Sequence, residues 1–381
     1  MNRRSSYVFF FFFAVLWCLA ITVNSGKSMR DMNDANVYRA HFERFHSYTN
    51  NDISKITSTY FDFSKNDKIK DIYAQVIIYY LSHITDNYHV MFMVFGAICA
   101  FFMLKSFHFF TRERNFTTGI QVFLLTTMFI VHNSIFLIFG VRFITATWIG
   151  VYCIFQIFIN HKKKYFFLLS ITPLIHIAFF TYIVLVCMVY FAKNRNVVLI
   201  TLFIFSLVFS NFSIFFSEKI MNFLPTVISH YAFHYSSEGV ITKIKTANAL
   251  LHPIVQFLYI LQYLYINVIV CMFIANRKVI ISTIAHFPYI FVLLIMIFVN
   301  FTKSIPSMER YMNMVFIFIP FIWLICKNNF QKYRWLLYSY PLIFMYRFYY
   351  IFAIEYTRAT PWEFYVSSPF YLVYKYLITM Q

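Results

Sequence analysis

Charge is what this chain has least of: Asp, Glu, Lys and Arg make up 12% of its 381 residues, about half the share in a soluble domain. That removes the polar coat a water-soluble enzyme of this size needs. Glycine occurs six times and proline nine times, too few for a collagen-like or linker-rich chain. The six cysteines (Cys18, Cys99, Cys153, Cys187, Cys271 and Cys326) all fall inside apolar segments, with no CxxC pair. Neither a disulfide framework nor a zinc site is indicated. No ~10-residue alternation of apolar and polar residues marks an outer-membrane barrel. Walker, Rossmann, GxSxG, HExxH and DxD motifs are missing too, so nothing supports ATP hydrolysis, nucleotide-sugar use, zinc proteolysis or any cofactor.

What is abundant is apolar and aromatic: 61% hydrophobic residues, with 52 Phe and 30 Tyr. This is the opposite of the disordered signature. The fold class is all-α, a polytopic integral membrane protein. Uncharged runs at 87–104, 115–141, 143–161, 165–192, 196–217, 246–276, 279–302 and 311–326, with a last one from 335, are near bilayer-spanning length. With Tyr7–Asn24 as the first span, they predict about ten transmembrane helices plus a re-entrant or hairpin segment, in one membrane domain covering 1–381. A weaker run at 71–86 is too short to span and suits an interfacial or re-entrant piece.

The net charge of +18 would suggest nucleic acid in a soluble protein. Here the basic residues sit in short clusters between apolar runs, so orientation is their first use and nucleic acid is not expected. The clusters are Arg3/Arg4, Lys105/Arg112/Arg114, Lys162–Lys164, Lys193/Arg195, Arg277/Lys278 and Lys327/Lys332/Arg334. Alternating crossings keep all of them on one side except at 165–192. A single pass there would invert every later loop. A turn near Pro173–His176 and a return to the same side satisfies all six. The N-terminus is then cytoplasmic. Residues 25–71, with eight Lys/Arg and seven Asp/Glu, form the first outer loop and 217–252 the second.

Ionisable residues within apolar segments are costly and often functional. Arg142, in FLIFGVRFITATW, offers a planar donor fork to phosphate oxygens; otherwise it snorkels to headgroups. His176, at the proposed turn in SITPLIHIAFF, could accept a sugar-hydroxyl proton, or simply pack beside the proline. Arg310, in SIPSMERYMNMVF, could be a second phosphate contact, or a local pair with Glu309. Asp34, Tyr38 and Phe42 in DANVYRAHFERF share one face of an amphipathic helix at the membrane surface. The carboxylate could serve as base or hydroxyl acceptor, or the face could be packing alone. His230 and His234 have helical i, i+4 spacing but no third ligand nearby, so packing accounts for them better than metal. Lys162–Lys164 reads as an orientation anchor.

The stretch FGVRFITATWIGVYCIFQIFINHKKKYFFLLSITPLIHIAFFTYIVL resembles the central block of EpsG-like, Wzy-type bacterial polysaccharide polymerases. There, an arginine opening a helix precedes a lysine-rich turn and then a helix with a histidine near its end; Arg142, Lys162–Lys164 and His176 follow that order. Arg310–Tyr311 is similar to the family's C-terminal arginine helix, and Asp34 with Tyr38 to its first-loop signature. Phe143 stands where the family commonly has Gln, and Gly140 near where Asn is usual. The resemblance implies a bacterial inner-membrane glycosyltransferase. Its substrates would be undecaprenyl-diphosphate-linked oligosaccharide repeat units, joined on the periplasmic face. A chain-length regulator would be a partner besides the lipid bilayer. Catalytic roles would fall to His176, Arg142 and Arg310, and substrate binding to Asp34, Tyr38 and Glu309. The alternatives are a flippase or other transporter, which should show inverted repeats or paired broken helices that this chain lacks, and a related ligase or acyltransferase.

Overall fold

A computed structural model describes residues 3–21, 34–61, 72–113, 116, 119–133, 140–209, 253–303, 309–349 and 366–379, and no strand occurs among them. The proposed second outer loop, with His230 and His234, lies outside the described residues, as does Arg114. The helices are α1 (Arg3–Trp17), α2 (Asp34–Phe45), α3 (Asn50–Phe61), α4 (Tyr73–Ser82), α5 (Tyr88–Thr111), α6 (Ile120–Val131), α7 (Val141–Ile154), α8 (Tyr165–Ile175), α9 (Phe179–Ala192) and α10 (Asn196–Val208). They continue with α11 (Pro253–Ala275), α12 (Arg277–Ile281), α13 (His286–Phe301), α14 (Glu309–Ile325), α15 (Arg334–Tyr338), α16 (Tyr340–Tyr349) and α17 (Pro369–Val373). Three helical stretches, Tyr88–Thr111, Val141–Ile159 and Gln256–Ala275, are long and apolar enough to cross a membrane. Shorter apolar helices pack around them, and one hydrophobic core runs through the bundle.

Contacts at the helix ends sort the bundle into two poles. At the lower pole, Tyr7 of α1 hydrogen-bonds Thr111 at the end of α5. Arg112 donates to the Asn160 side chain at 3.3 Å, and Phe158 stacks on Phe287 of α13 at 4.9 Å. Gln121 at the start of α6 lies 3.4 Å from Gln331, and Phe273 near the end of α11 stacks on Phe330 at 5.6 Å. At the upper pole, Phe205 of α10 meets Phe301 of α13, and Lys303 lies 3.9 Å over the Tyr263 ring.

The segment 165–192 turns back on itself. Pro173 cannot donate to the Leu169 carbonyl one turn earlier, and the Thr172 hydroxyl does so instead at 2.7 Å. Helix α8 then stops because His176 is extended (φ −154°, ψ 120°). The Leu174 carbonyl left open there accepts from the Ile72 backbone N–H, at the start of α4, at 3.1 Å. Phe179 then packs on Phe143 near the start of α7, Tyr182 lies against Gly150 further down α7, and Lys193 ends beside His286 at the lower pole. Both Lys164 and Lys193 are therefore at the lower pole. Apart from the undescribed Arg114, every basic cluster named from the sequence collects there.

The 71–86 run is the short helix α4 at the upper pole. Tyr79 of α4 donates to Asn50 at 2.8 Å. Helix α2 packs on α4 and α5, so Tyr38 (4% exposed) and Phe42 (0%) are buried in protein rather than laid on a membrane surface. The amphipathic pattern is the same in either environment, because both reward one apolar face.

Below the upper pole, Asn300 (0% exposed) accepts from the Tyr263 hydroxyl at 2.9 Å and donates to Ser206 at 3.1 Å. One amide thereby ties α10, α11 and α13. Such inter-helix bonds in apolar surroundings contribute about 0.6–2 kcal/mol each.

Two outcomes are expected. Lys163→Cys and Arg195→Cys should take added label from one side of the membrane, and Glu43→Cys on α2 from the other. A Cβ on Gly150 would come within 2.6 Å of the Tyr182 ring. Gly150→Ala should therefore cost on the order of 1–3 kcal/mol, read as a lowered unfolding midpoint in detergent. An unchanged midpoint would mean that the ring can move aside.

Candidate functional site

Four pieces of chain meet at the upper pole: the first turns of α2, α7 and α14, and the turn between α8 and α9. The ring of Phe143, 6% exposed, is at their centre. The Arg310 guanidinium lies 5.6 Å from its centroid. His176 meets it edge-on at 5.4 Å, and Tyr311 edge-on at 6.5 Å.

On the other side of this hub, Arg142 turns to α2. Its Nη2 donates to Asp34 Oδ2 at 3.3 Å, the arginine side chain being 21% and the aspartate 52% exposed. The same guanidinium lies 5.7 Å from the Tyr38 ring. The structure thus brings Arg142, Asp34, Tyr38, His176 and Arg310 to one rim. Glu309 is the first residue of α14, next to Arg310.

Both arginines sit in the first turn of a helix, Arg142 in α7 and Arg310 in α14. A helix N-terminus carries partial positive charge and unpaired N–H groups, so a cation there is unfavourable and an anion favourable. Two such ends with two guanidiniums make a place for a doubly charged, oxygen-rich ligand. Asp34 satisfies part of that demand. Among the described residues, no three His, Cys, Asp or Glu side chains gather as a metal would require.

The α8–α9 turn fixes how His176 presents itself. The Ala178 backbone N–H donates to His176 Nδ1 at 3.2 Å, and its carbonyl accepts from the Tyr311 hydroxyl at 2.8 Å. One residue thereby orients the imidazole and ties the turn to α14. With Nδ1 occupied as an acceptor, the neutral ring carries its proton on Nε2. His176 in this geometry is a hydrogen-bond donor rather than a proton acceptor.

Sequence reasoning passed over three participants. Phe143 and Tyr311 each stand next to a chosen arginine, and only the fold makes them the link between Arg310 and His176. His41 follows Tyr38 by three residues on α2, next to the Asp34, Tyr38 and Phe42 positions that the spacing marked. Its Nδ1 lies 3.3 Å from the Gln75 side-chain nitrogen on α4. Burial, then Arg44, then Arg142 hold it below the usual imidazole range.

Beneath the rim, the Gln262 amide donates to the Asn313 side chain at 3.3 Å. The Asn133 amide donates to the Asn313 carbonyl at 2.8 Å, and Trp148 Nε1 to the Asn133 carbonyl at 2.8 Å. These buried bonds lock α6, α7, α11 and α14 at one level and so fix the spacing of the two arginine helices.

Compared with known families, the chain matches the model of the EpsG family over residues 6–379. Comparison with curated proteins and with solved structures gave no match.

If the Asp34–Arg142 pair serves function rather than stability, Asp34→Asn should move the unfolding free energy by less than about 1 kcal/mol, as for a half-exposed ion pair. Thermal unfolding of the purified variant checks this. A loss several times larger would make Asp34 a structural anchor for α2.

Proposed function

The chain belongs to the EpsG family, a membrane family tied to polysaccharide biosynthesis, and from that premise we propose that it is a membrane glycosyltransferase. It joins lipid-diphosphate-linked oligosaccharide repeat units into a surface polysaccharide. The observation that carries this is two arginines, each in the first turn of a helix, at the pole opposite the basic clusters: Arg310 lies over the Phe143 ring, and Arg142, the residue before Phe143, pairs with Asp34. That geometry suits a diphosphate at an apolar boundary better than any neutral cargo.

In the reaction, a sugar hydroxyl of the acceptor attacks the anomeric carbon of the donor, and the carbon–oxygen bond to the diphosphate breaks. The leaving diphosphate takes the electron pair, so no nucleotide is consumed. Arg142 and Arg310 bind the diphosphate and offset the charge that grows on it. His176 donates its Nε2–H to an oxygen of the same group. Asp34 gives up Arg142 as the diphosphate arrives and then accepts a sugar hydroxyl, Tyr38 offers a ring face to the sugar, and Glu309 supplies a second carboxylate at the rim. The attacking hydroxyl loses its proton to a base on that rim.

Positive loops stay in the cytoplasm. The lower pole and the start of α1 therefore face inward, and the site opens to the periplasm of a bacterial inner membrane. The 165–192 segment is then a re-entrant hairpin. The carrier at that surface is undecaprenyl diphosphate, and a chain-length regulator would act on the growing product.

The test is deletion of the gene, with gel analysis of surface glycan. Single repeat units on their final acceptor support polymerisation. Complete loss of surface glycan points to a flippase, and unattached polymer to a ligase. Arg142→Lys keeps the charge but loses the two-pronged fork. Polymer formation should fall by about 10²-fold at matched membrane level. Full activity with lysine would leave Arg142 an orientation anchor and remove the diphosphate clamp.

A further inference from the structure

We propose that Tyr311 is a positioning residue for the transfer step: its hydroxyl holds the α8–α9 turn in register with α14, so that His176 and Arg310 meet the same leaving diphosphate. This rests on the glycosyltransferase reading above.

The turn fixes its own shape but not its place. Within it, the Phe179 N–H donates to the His176 carbonyl and the Phe180 N–H to the Ile177 carbonyl, each at 3.0 Å. Neither bond reaches α14. Ala178 caps the start of α9, and the carbonyl of such a residue already accepts the first bond of its helix. The Tyr311 hydroxyl donates to that same carbonyl at 2.8 Å, and it also meets the Thr181 side chain on α9. The bond to Ala178 is therefore not needed to satisfy the carbonyl. What it does is set the turn against α14.

The Tyr311 ring alone would not do this as well. It is 4% exposed, edge-on to Phe298 of α13 at 5.1 Å and to Phe143 at 6.5 Å. A phenylalanine would make the same ring contacts. Such contacts tolerate sliding, whereas a hydrogen bond weakens steeply as its angle closes.

The hydroxyl acts on two groups at once. Arg310 precedes Tyr311 in the first turn of α14, and its guanidinium lies over Phe143. His176 meets the same ring edge-on, and the Ala178 N–H on its Nδ1 leaves Nε2–H as the donor. Tyr311 thus ties both groups to one frame, the arginine through the chain and the histidine through Ala178. Their separation is then fixed before a diphosphate arrives to bridge them. Donors held in place in this way act most strongly as charge grows on the leaving oxygens, so the gain falls on the chemical step.

The experiment uses the full chain in vesicles of bacterial phospholipid. The substrate is lipid-linked single repeat units extracted from cells lacking the gene, and rates of chain extension are measured against substrate concentration. His176→Ala should lower kcat by about 10²-fold. Tyr311→Phe should lower kcat by about 10-fold or more, with KM within about twofold of wild type. In a His176→Ala background, Tyr311→Phe should change kcat by less than about threefold, because the group it positions is gone. Nitrogen NMR of histidine-labelled wild-type protein, well above the ordinary histidine value of about 6.5, should show His176 protonated on Nε2. A wild-type rate for Tyr311→Phe or for His176→Ala overturns the proposal. An equal loss from Tyr311→Phe in both backgrounds does so too, since it would make Tyr311 structural alone. A His176 proton on Nδ1 overturns it even if Tyr311→Phe fails to fold. A wild-type protein that cannot extend the extract removes the glycosyltransferase reading itself, and is distinguished by failing before any variant is compared.

Discussion

The arrangement depends on one close contact, the ring of Tyr182 lying where Gly150 has no side chain. Helix α9 returns past α7 with that ring set into the notch, and it packs along α13. The return carries Lys193 to the pole where Lys164 already lies, and it leaves His176 at the opposite pole. With a larger residue at 150, the Tyr182 ring, or α9 with it, would have to shift, and the α8–α9 turn that meets Phe143 lies at the head of that helix. A packing contact within the apolar core therefore helps to hold the α8–α9 turn and His176 at that pole.

Much of the fold could be read from parity alone. Six basic clusters on one side require an even number of crossings between each consecutive pair. Only at the 165–192 run does a single crossing break that parity. Pro173 marked where the turn could fall, although proline by itself permits a kink as readily as a reversal. The extended backbone of His176 and the substitute bond from Thr172 to Leu169 settle the local geometry. Neither is visible in composition. Helix lengths were less legible. The 115–141 run contains a described helix of 12 residues, α6, because hydropathy reports where chain can be buried and not where it stays helical.

The site was legible where a residue was out of place and illegible where it was ordinary. Arg142, Arg310 and His176 stood out as ionisable groups in apolar sequence, and the fold brings them to one rim with Asp34 and Tyr38. Phe143 could not stand out among 52 phenylalanines, yet it is the ring that Arg310, His176 and Tyr311 share. The role of His176 was also beyond sequence, since it turns on which ring nitrogen the Ala178 N–H occupies.

The electrostatics of the rim favour an incomplete balance. A cation in the first turn of a helix costs about 0.3–1 kcal/mol against the dipole, and α7 and α14 each bear that cost. The half-exposed Asp34 offsets Arg142 by no more than about 1 kcal/mol. The Phe143 face holds Arg310 with roughly 0.5–1 kcal/mol of cation–π attraction. Each of these terms is small, about 1 kcal/mol or less. A diphosphate brings two charges and several acceptor oxygens to both guanidiniums at once, where charge-assisted, two-pronged bonds are the stronger kind. On the proposed reading, it would take Arg142 from Asp34, and the released carboxylate would be placed to accept a sugar hydroxyl.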